Sequence, residues 1–138
     1  MQYISLNYKI SETKDLKLSF ENRGFLFGDG FFETIKVINN KIFNFKMHSK
    51  RIKKSLNLLC LDFDFCEKKI KNNILSLTKK NKITSASVKL VFFRSSEGRY
   101  LPKTNNCSIL VSCKNNHPNF LLRHVRINTF DDIKKSVN

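Results

Sequence analysis

The chain has no tryptophan, a single alanine, two prolines and four glycines. Collagenous and low-complexity disordered chains are rich in proline and glycine, so both classes are excluded. No apolar run approaches the ~20 residues of a membrane-spanning helix. The start, Met1-Gln2-Tyr3-Ile4-Ser5, has no basic segment leading into an apolar one, so no secretory signal is read and a cytoplasmic protein is expected. No repeat and no low-complexity tract is present. The four cysteines, Cys60, Cys66, Cys107 and Cys113, form no C-x-x-C pair, and neither pair has a histidine at metal-ligand spacing. Reduced, partly buried thiols and no metal site are expected.

Acidic residues are also scarce: 11 against 26 basic ones, for a net charge of +15. Two readings compete. A nucleic-acid partner favours such a balance, because cations gain affinity by releasing counterions from phosphate. Codon drift also explains it: 20 Lys, 16 Asn, 12 Ile and 13 Phe all have A/T-rich codons, and alanine, with G/C-rich codons, is nearly gone. The lysines run from Lys9 to Lys135, whereas a nucleic-acid footprint requires clustering. The sharpest cluster, Lys46, Lys50, Arg51, Lys53 and Lys54, reads as one solvated helix face. Drift is preferred; a small basic nucleic-acid-binding module stays as the alternative of another class.

What remains is a globular chain of 138 residues, 41% hydrophobic and 27% charged, long enough for one domain with a real core. Alternation over Tyr3 to Ile10 predicts a strand, Ser11 to Asp15 a turn, and Leu16 to Phe20 a second short strand. Three of the four glycines fall within Asn22 to Gly30, which marks a loop needing positive φ or close backbone approach. Phe31 to Ile38 and Lys41 to Phe45 flank Asn39-Asn40 as a hairpin. Helical spacing of Met47, Ile52, Leu56 and Leu59 predicts a helix over 47–60. Ile70, Ile74 and Leu77 predict another over 67–80, capped by Asp62 or Asp64. Ser85 to Arg94 reads as a buried strand, Ser95 to Gly98 as a turn and Cys107 to Cys113 as a strand. Lys114 to Asn119 resembles a linker, Leu121 to Ile127 is a weaker strand, and Asp131 to Asn138 opens a further element. Antiparallel strands with segregated helices make an α+β domain.

The stretch Arg23-Gly24-Phe25-Leu26-Phe27-Gly28-Asp29-Gly30-Phe31-Phe32-Glu33-Thr34 resembles the N-terminal signature of the class IV (fold type IV) pyridoxal-phosphate enzymes. These include branched-chain aminotransferases, D-amino acid transaminases and aminodeoxychorismate lyases. The likeness continues into His48-Ser49-Lys50-Arg51-Ile52, similar to the family's His-x-x-Arg-Leu helix. It resumes at Arg94-Ser95-Ser96-Glu97-Gly98-Arg99-Tyr100-Leu101-Pro102, similar to the family's Arg-Gly-rich turn. It spans roughly residues 3 to 113, with the motifs in family order. The resemblance implies a small N-terminal domain over 1–114, an antiparallel sheet with two helices, and a linker and the start of a larger domain over 115–138. A chain cut short and inactive alone, a homodimer in the intact enzyme, and pyridoxal 5′-phosphate as cofactor follow from it.

By resemblance, Arg51 anchors the cofactor phosphate. A planar guanidinium donating two parallel hydrogen bonds suits that dianion, and an arginine kept among lysines is notable in a chain with 6 Arg and 20 Lys. Arg99 would hold a substrate carboxylate, or is an exposed turn residue. Phe32 would be an apolar wall facing the substrate, or is core. Glu33-Thr34 in place of Glu-Gly leans toward the lyase and D-amino acid branches. The Schiff-base lysine belongs to a segment resembling Leu-x-x-Ile-Lys-Thr-x-Asn. Lys135 has its asparagine three residues on, at Asn138, yet lies closer to Arg51 than the family pattern has it. The preferred alignment places that lysine beyond Asn138, with Lys135 as the alternative. The implied reaction moves an amino group between an amino acid and a 2-oxo acid; pyruvate elimination from aminodeoxychorismate is the alternative. A non-catalytic remnant that still dimerises is a third reading.

Overall fold

The computed structural model describes residues 2–116. Its centre is a six-stranded antiparallel sheet in the order β2-β1-β6-β5-β3-β4. The strands are β1 (Tyr3–Leu6), β2 (Lys9–Glu12), β3 (Gly30–Ile38), β4 (Lys41–Ile42), β5 (Ala86–Arg94) and β6 (Cys107–Asn115). The one-turn helix α1 (Arg23–Leu26) precedes β3, and α2 (Phe45–Leu58) and α3 (Glu67–Lys80) lie between β4 and β5. The expected α+β domain, an antiparallel sheet with two long helices, is present. No helix among the described residues is long and apolar enough to cross a membrane.

Period-two alternation gives each strand two faces. Ile35 and Val37 of β3, Val88, Leu90 and Phe92 of β5, and Ile109 and Val111 of β6 all point one way and are fully buried. Ile52 and Leu56 of α2, and Ile70, Ile74 and Leu77 of α3, cover them in the same core. Among the described residues the other face carries no long helix. There Leu18, Phe20, Gly24, Phe25, Val91, Phe93 and Leu110 line an open apolar cavity of about 390 Å³. Phe20 and Phe25 remain more than 70% exposed, at 73% and 78%.

Several expectations need correction. Tyr3 to Ile10 is not one strand but the hairpin β1–β2, turning at Asn7 and Tyr8 with φ of 48° and 68°. A two-residue turn leaves the alternation intact on both arms, so periodicity alone hides it. Leu16 to Phe20 forms no strand; Leu18 and Phe20 instead line the cavity on the other face. Neither Asp62 nor Asp64 caps α3: Cys66 occupies that position without a side-chain bond, and Asp64 pairs instead with Lys69 at 2.9 Å. The buried stripe of α2 is Phe45, Ser49, Ile52 and Leu56, with Met47 half exposed. By contrast the Asn39-Asn40 turn is as expected, both residues left-handed with φ of 49° and 60°. The strand expected over 121–127 and the element over 131–138 lie outside the described residues.

Glycine at 30 has a steric cause. A Cβ there would sit 2.2 Å from the Phe92 carbonyl oxygen of the paired strand. Only glycine lets β3 start against β5 at this spacing, and its start sets the register of every residue that follows.

Candidate functional site

The site is built on β3 and the first two turns of α2. Strand β4 pairs only with Val37 and Ile38 of β3, so the edge from Gly30 to Ile35 has no ladder partner among the described residues. Glu33 sits in this free-edged segment and points to the helix-covered side. Opposite it, His48 and Arg51 are three residues apart, so one helix face presents both.

Arg51 Nε donates to Glu33 Oε1 at 2.7 Å, and Arg51 Nη2 to Oε2 at 2.9 Å. His48 Nδ1 lies 2.7 Å from the same Oε2. An ionised carboxylate only accepts, so the hydrogen of that bond is on Nδ1. The hydrogen bond from Arg51 holds the Glu33 carboxyl below the usual carboxylate range, and His48 adds to this against the opposing effect of burial. Arg51 in turn is raised by Glu33. The carboxylate is sheltered, with 12% of its side chain exposed, whereas the Arg51 side chain is 55% exposed. Arginine has five N–H donors arranged in two forks. Glu33 takes the fork made by Nε and Nη2; Nη1 makes no hydrogen bond among the described residues.

Phe32 is one residue from Glu33 and therefore on the other side of the sheet. It is 60% exposed, which removes the core reading. Lys89, on β5, places its ammonium 4.4 Å from the ring centroid. Arg99 is exposed in the turn after β5, and its guanidinium makes no hydrogen bond among the described residues. Lys135 lies outside the described residues. The exposed cations Lys46, Lys50, Lys53 and Lys54 do share the outer side of α2.

A second arginine site had no role assigned from sequence. Arg23 and Arg94, 8% and 6% exposed, both bond Asp29 Oδ2, at 2.7 and 3.0 Å. Arg94 also donates to the Leu59 and Cys60 carbonyls and to Asn105 Oδ1. Arg23 Nη1 reaches the Gly98 carbonyl at 2.5 Å. Burial alone would push the Asp29 carboxyl up; the bonds and charges of the two arginines bring it below the usual range. The cluster ties the glycine loop, the end of β5, the α2–α3 connection and the Arg99 turn into one body. The signal that finds it is the one used for Arg51: an arginine retained in a lysine-dominated chain. Burial pushes the Cys107 thiol up to about 11, away from the thiolate a nucleophile needs.

The family model for amino-transferase class IV matches residues 30–136, from the first residue of β3 onward. The chain belongs to this family. Among curated relatives of this class IV chain, a D-alanine aminotransferase of Staphylococcus aureus (strain N315) is 31% identical over 88 residues, covering 64% of this chain and 31% of the relative. A Methanocaldococcus jannaschii protein, provisionally named a branched-chain-amino-acid aminotransferase, is 33% identical over 91 residues, covering 66% and 32%. The class IV chain thus spans about a third of the length of the curated relatives it matches. Its fold resembles the branched-chain amino acid aminotransferase of Escherichia coli, with a TM-score of 0.75 at 18% identity, covering 83% of this chain and 40% of that one. The branched-chain enzyme of Thermobaculum terrenum, solved in its PLP form, gives 0.70 at 15% identity, covering 83% and 40%.

Proposed function

We propose that the chain is the phosphate-anchoring part of a pyridoxal 5′-phosphate-dependent aminotransferase, moving an amino group between an amino acid and a 2-oxo acid. The observation that carries this is the Arg51 guanidinium beside a free strand edge, one fork held by Glu33 and Nη1 without a partner among the described residues. The donor set fits the group: a phosphate accepts N–H bonds from a guanidinium fork. When bound, pyridoxal phosphate supplies an electron sink for bond breaking at the substrate α-carbon.

The chain's own residues have distinct tasks in this reading. Arg51 would hold the phosphate. Arg99, its guanidinium unengaged, receives the substrate carboxylate. Phe32 offers an apolar wall on the open side of the sheet. Lys135 is the candidate for the lysine whose Nζ bonds the cofactor and moves the α-proton. The D-alanine and branched-chain relatives support amino transfer over pyruvate elimination. A cytoplasmic homodimer belongs to the same reading, and twice the chain mass by light scattering is the expected result.

Binding of pyridoxine 5′-phosphate tests the anchor without an aldehyde that reacts with the chain's 20 lysines. The chain is expected to prefer it to pyridoxine, and Arg51→Gln to abolish the preference. Equal binding of the two compounds by the wild-type chain would contradict the reading. Borohydride reduction with pyridoxal 5′-phosphate, followed by peptide mapping, tests the lysine: stoichiometric labelling of Lys135 supports its role, and labelling scattered over many lysines counts against it.

A further inference from the structure

We propose that Glu33 is the positioning residue of the phosphate site: it occupies the Nε–Nη2 fork of Arg51 and so aims the Nη1–Nη2 edge outward at the anion. The proposal rests on the reading of Arg51 as the phosphate anchor.

The two partners differ in mobility. Arg51 is a long, half-exposed side chain on a helix, with every torsion of its stem free if unpaired. Glu33 is on a strand of the central sheet and largely sheltered, and His48 Nδ1 holds its Oε2 at 2.7 Å. His48 is also 2.9 Å from Arg51 Nη2, so imidazole and guanidinium converge on one carboxylate oxygen. The chain of contacts runs from β3, which is fixed, to Arg51, which is not. Glu33 and His48 therefore determine where the guanidinium plane lies. A partner as exposed as Arg51 adds little to stability, so the main consequence of the pair is geometric. It leaves a second bidentate edge in a set orientation, as outer carboxylates do for the groups they orient.

Glu33 acts on a bound phosphate in two opposite ways. Its charge repels the anion, and its hydrogen bonds immobilise the donor. That repulsion is offset by the guanidinium charge, which lies between the two anions. An unheld arginine must lose its side-chain freedom on binding. Ordering therefore outweighs repulsion, and removal of Glu33 weakens binding.

The test is titration of the full chain with pyridoxine 5′-phosphate, with pyridoxine as the control, while the Arg51 Nε–H resonance is followed. Glu33→Ala is expected to weaken the phosphate-dependent part of binding about tenfold, on the scale of outer-shell carboxylates. It should also move the Nε–H resonance to the position of a free arginine with the far-UV circular dichroism unchanged. Glu33→Gln keeps an acceptor for Nε–H and is expected to restore part of the loss. Binding by Glu33→Ala as tight as wild type, or tighter, overturns the proposal, since the carboxylate is then a competitor of the phosphate. If the alanine variant does not fold, Glu33→Gln carries the same criterion: weaker binding supports the proposal, and equal or tighter binding overturns it. Arg51→Gln separates the two claims: unchanged phosphate preference in that variant sinks the anchor reading itself, whatever the Glu33 variants do.

Discussion

The molecule holds two arginine–carboxylate sites of similar chemistry and opposite exposure. At Asp29 two arginines, 8% and 6% exposed, share one carboxylate oxygen, and Arg94 spends three of its other four N–H donors on backbone carbonyls and Asn105. At Glu33 one arginine with a 55% exposed side chain gives one fork to the carboxylate and keeps the other edge. The first site joins four segments of chain and buries Arg94 away from a ligand. The second joins only β3 and α2 and leaves Arg51 Nη1 without a hydrogen bond among the described residues. Residue type does not separate them; what separates them is where each N–H goes. Buried ionic clusters hold a fold together only while intact, whereas exposed pairs add little to it and remain available.

The comparison breaks most readily at Asp29. Asp29→Asn leaves two buried guanidiniums without a counter-charge and is expected to cost about 3–5 kcal/mol in urea unfolding; a loss below about 1 kcal/mol would make the cluster incidental. Acid is the next largest effect. Both Asp29 and Glu33 have carboxyls lowered from ordinary values of 3.8 and 4.5. Their contribution is fully present above those values and is lost as pH falls through the lower native ones. Circular dichroism should show stability falling below about pH 4.5, less steeply in Asp29→Asn than in wild type. Loss of stability on raising pH from 5 to 8 would contradict this. Arg51→Lys keeps the charge but not the fork, and is expected to lower the preference for pyridoxine 5′-phosphate with no resolvable change in unfolding midpoint. Smallest of all, Asp64→Asn removes an ion pair whose carboxylate is 84% exposed and should leave both stability and phosphate binding unchanged.

Much of this was legible in the sequence where periodicity is strong. The helix over 67–80 and the strands around Val88–Phe92 and Ile109–Val111 bury one face each, and burial imposes a repeat. The Asn7-Tyr8 turn was not legible, because a two-residue turn preserves alternation. Leu16 to Phe20 misled because apolar residues over an uncovered face look like a strand in composition. The residues of the site were visible as types: Arg51 and His48 by their spacing, Phe32 and Glu33 by their motif. Their division between the two sides of the sheet follows from the start of β3 at Gly30, which a contact with the Phe92 carbonyl fixes. Asp29 went unassigned because its partners are 6 and 65 positions away, a pairing that only the folded chain brings about.

Nε–H resonances of Arg23, Arg51 and Arg94, followed while inorganic phosphate is added to the full chain, test the central distinction directly. Phosphate should move the Arg51 resonance and leave those of Arg23 and Arg94 in place. Movement of either buried arginine, or an Arg51 resonance indifferent to phosphate, would contradict it.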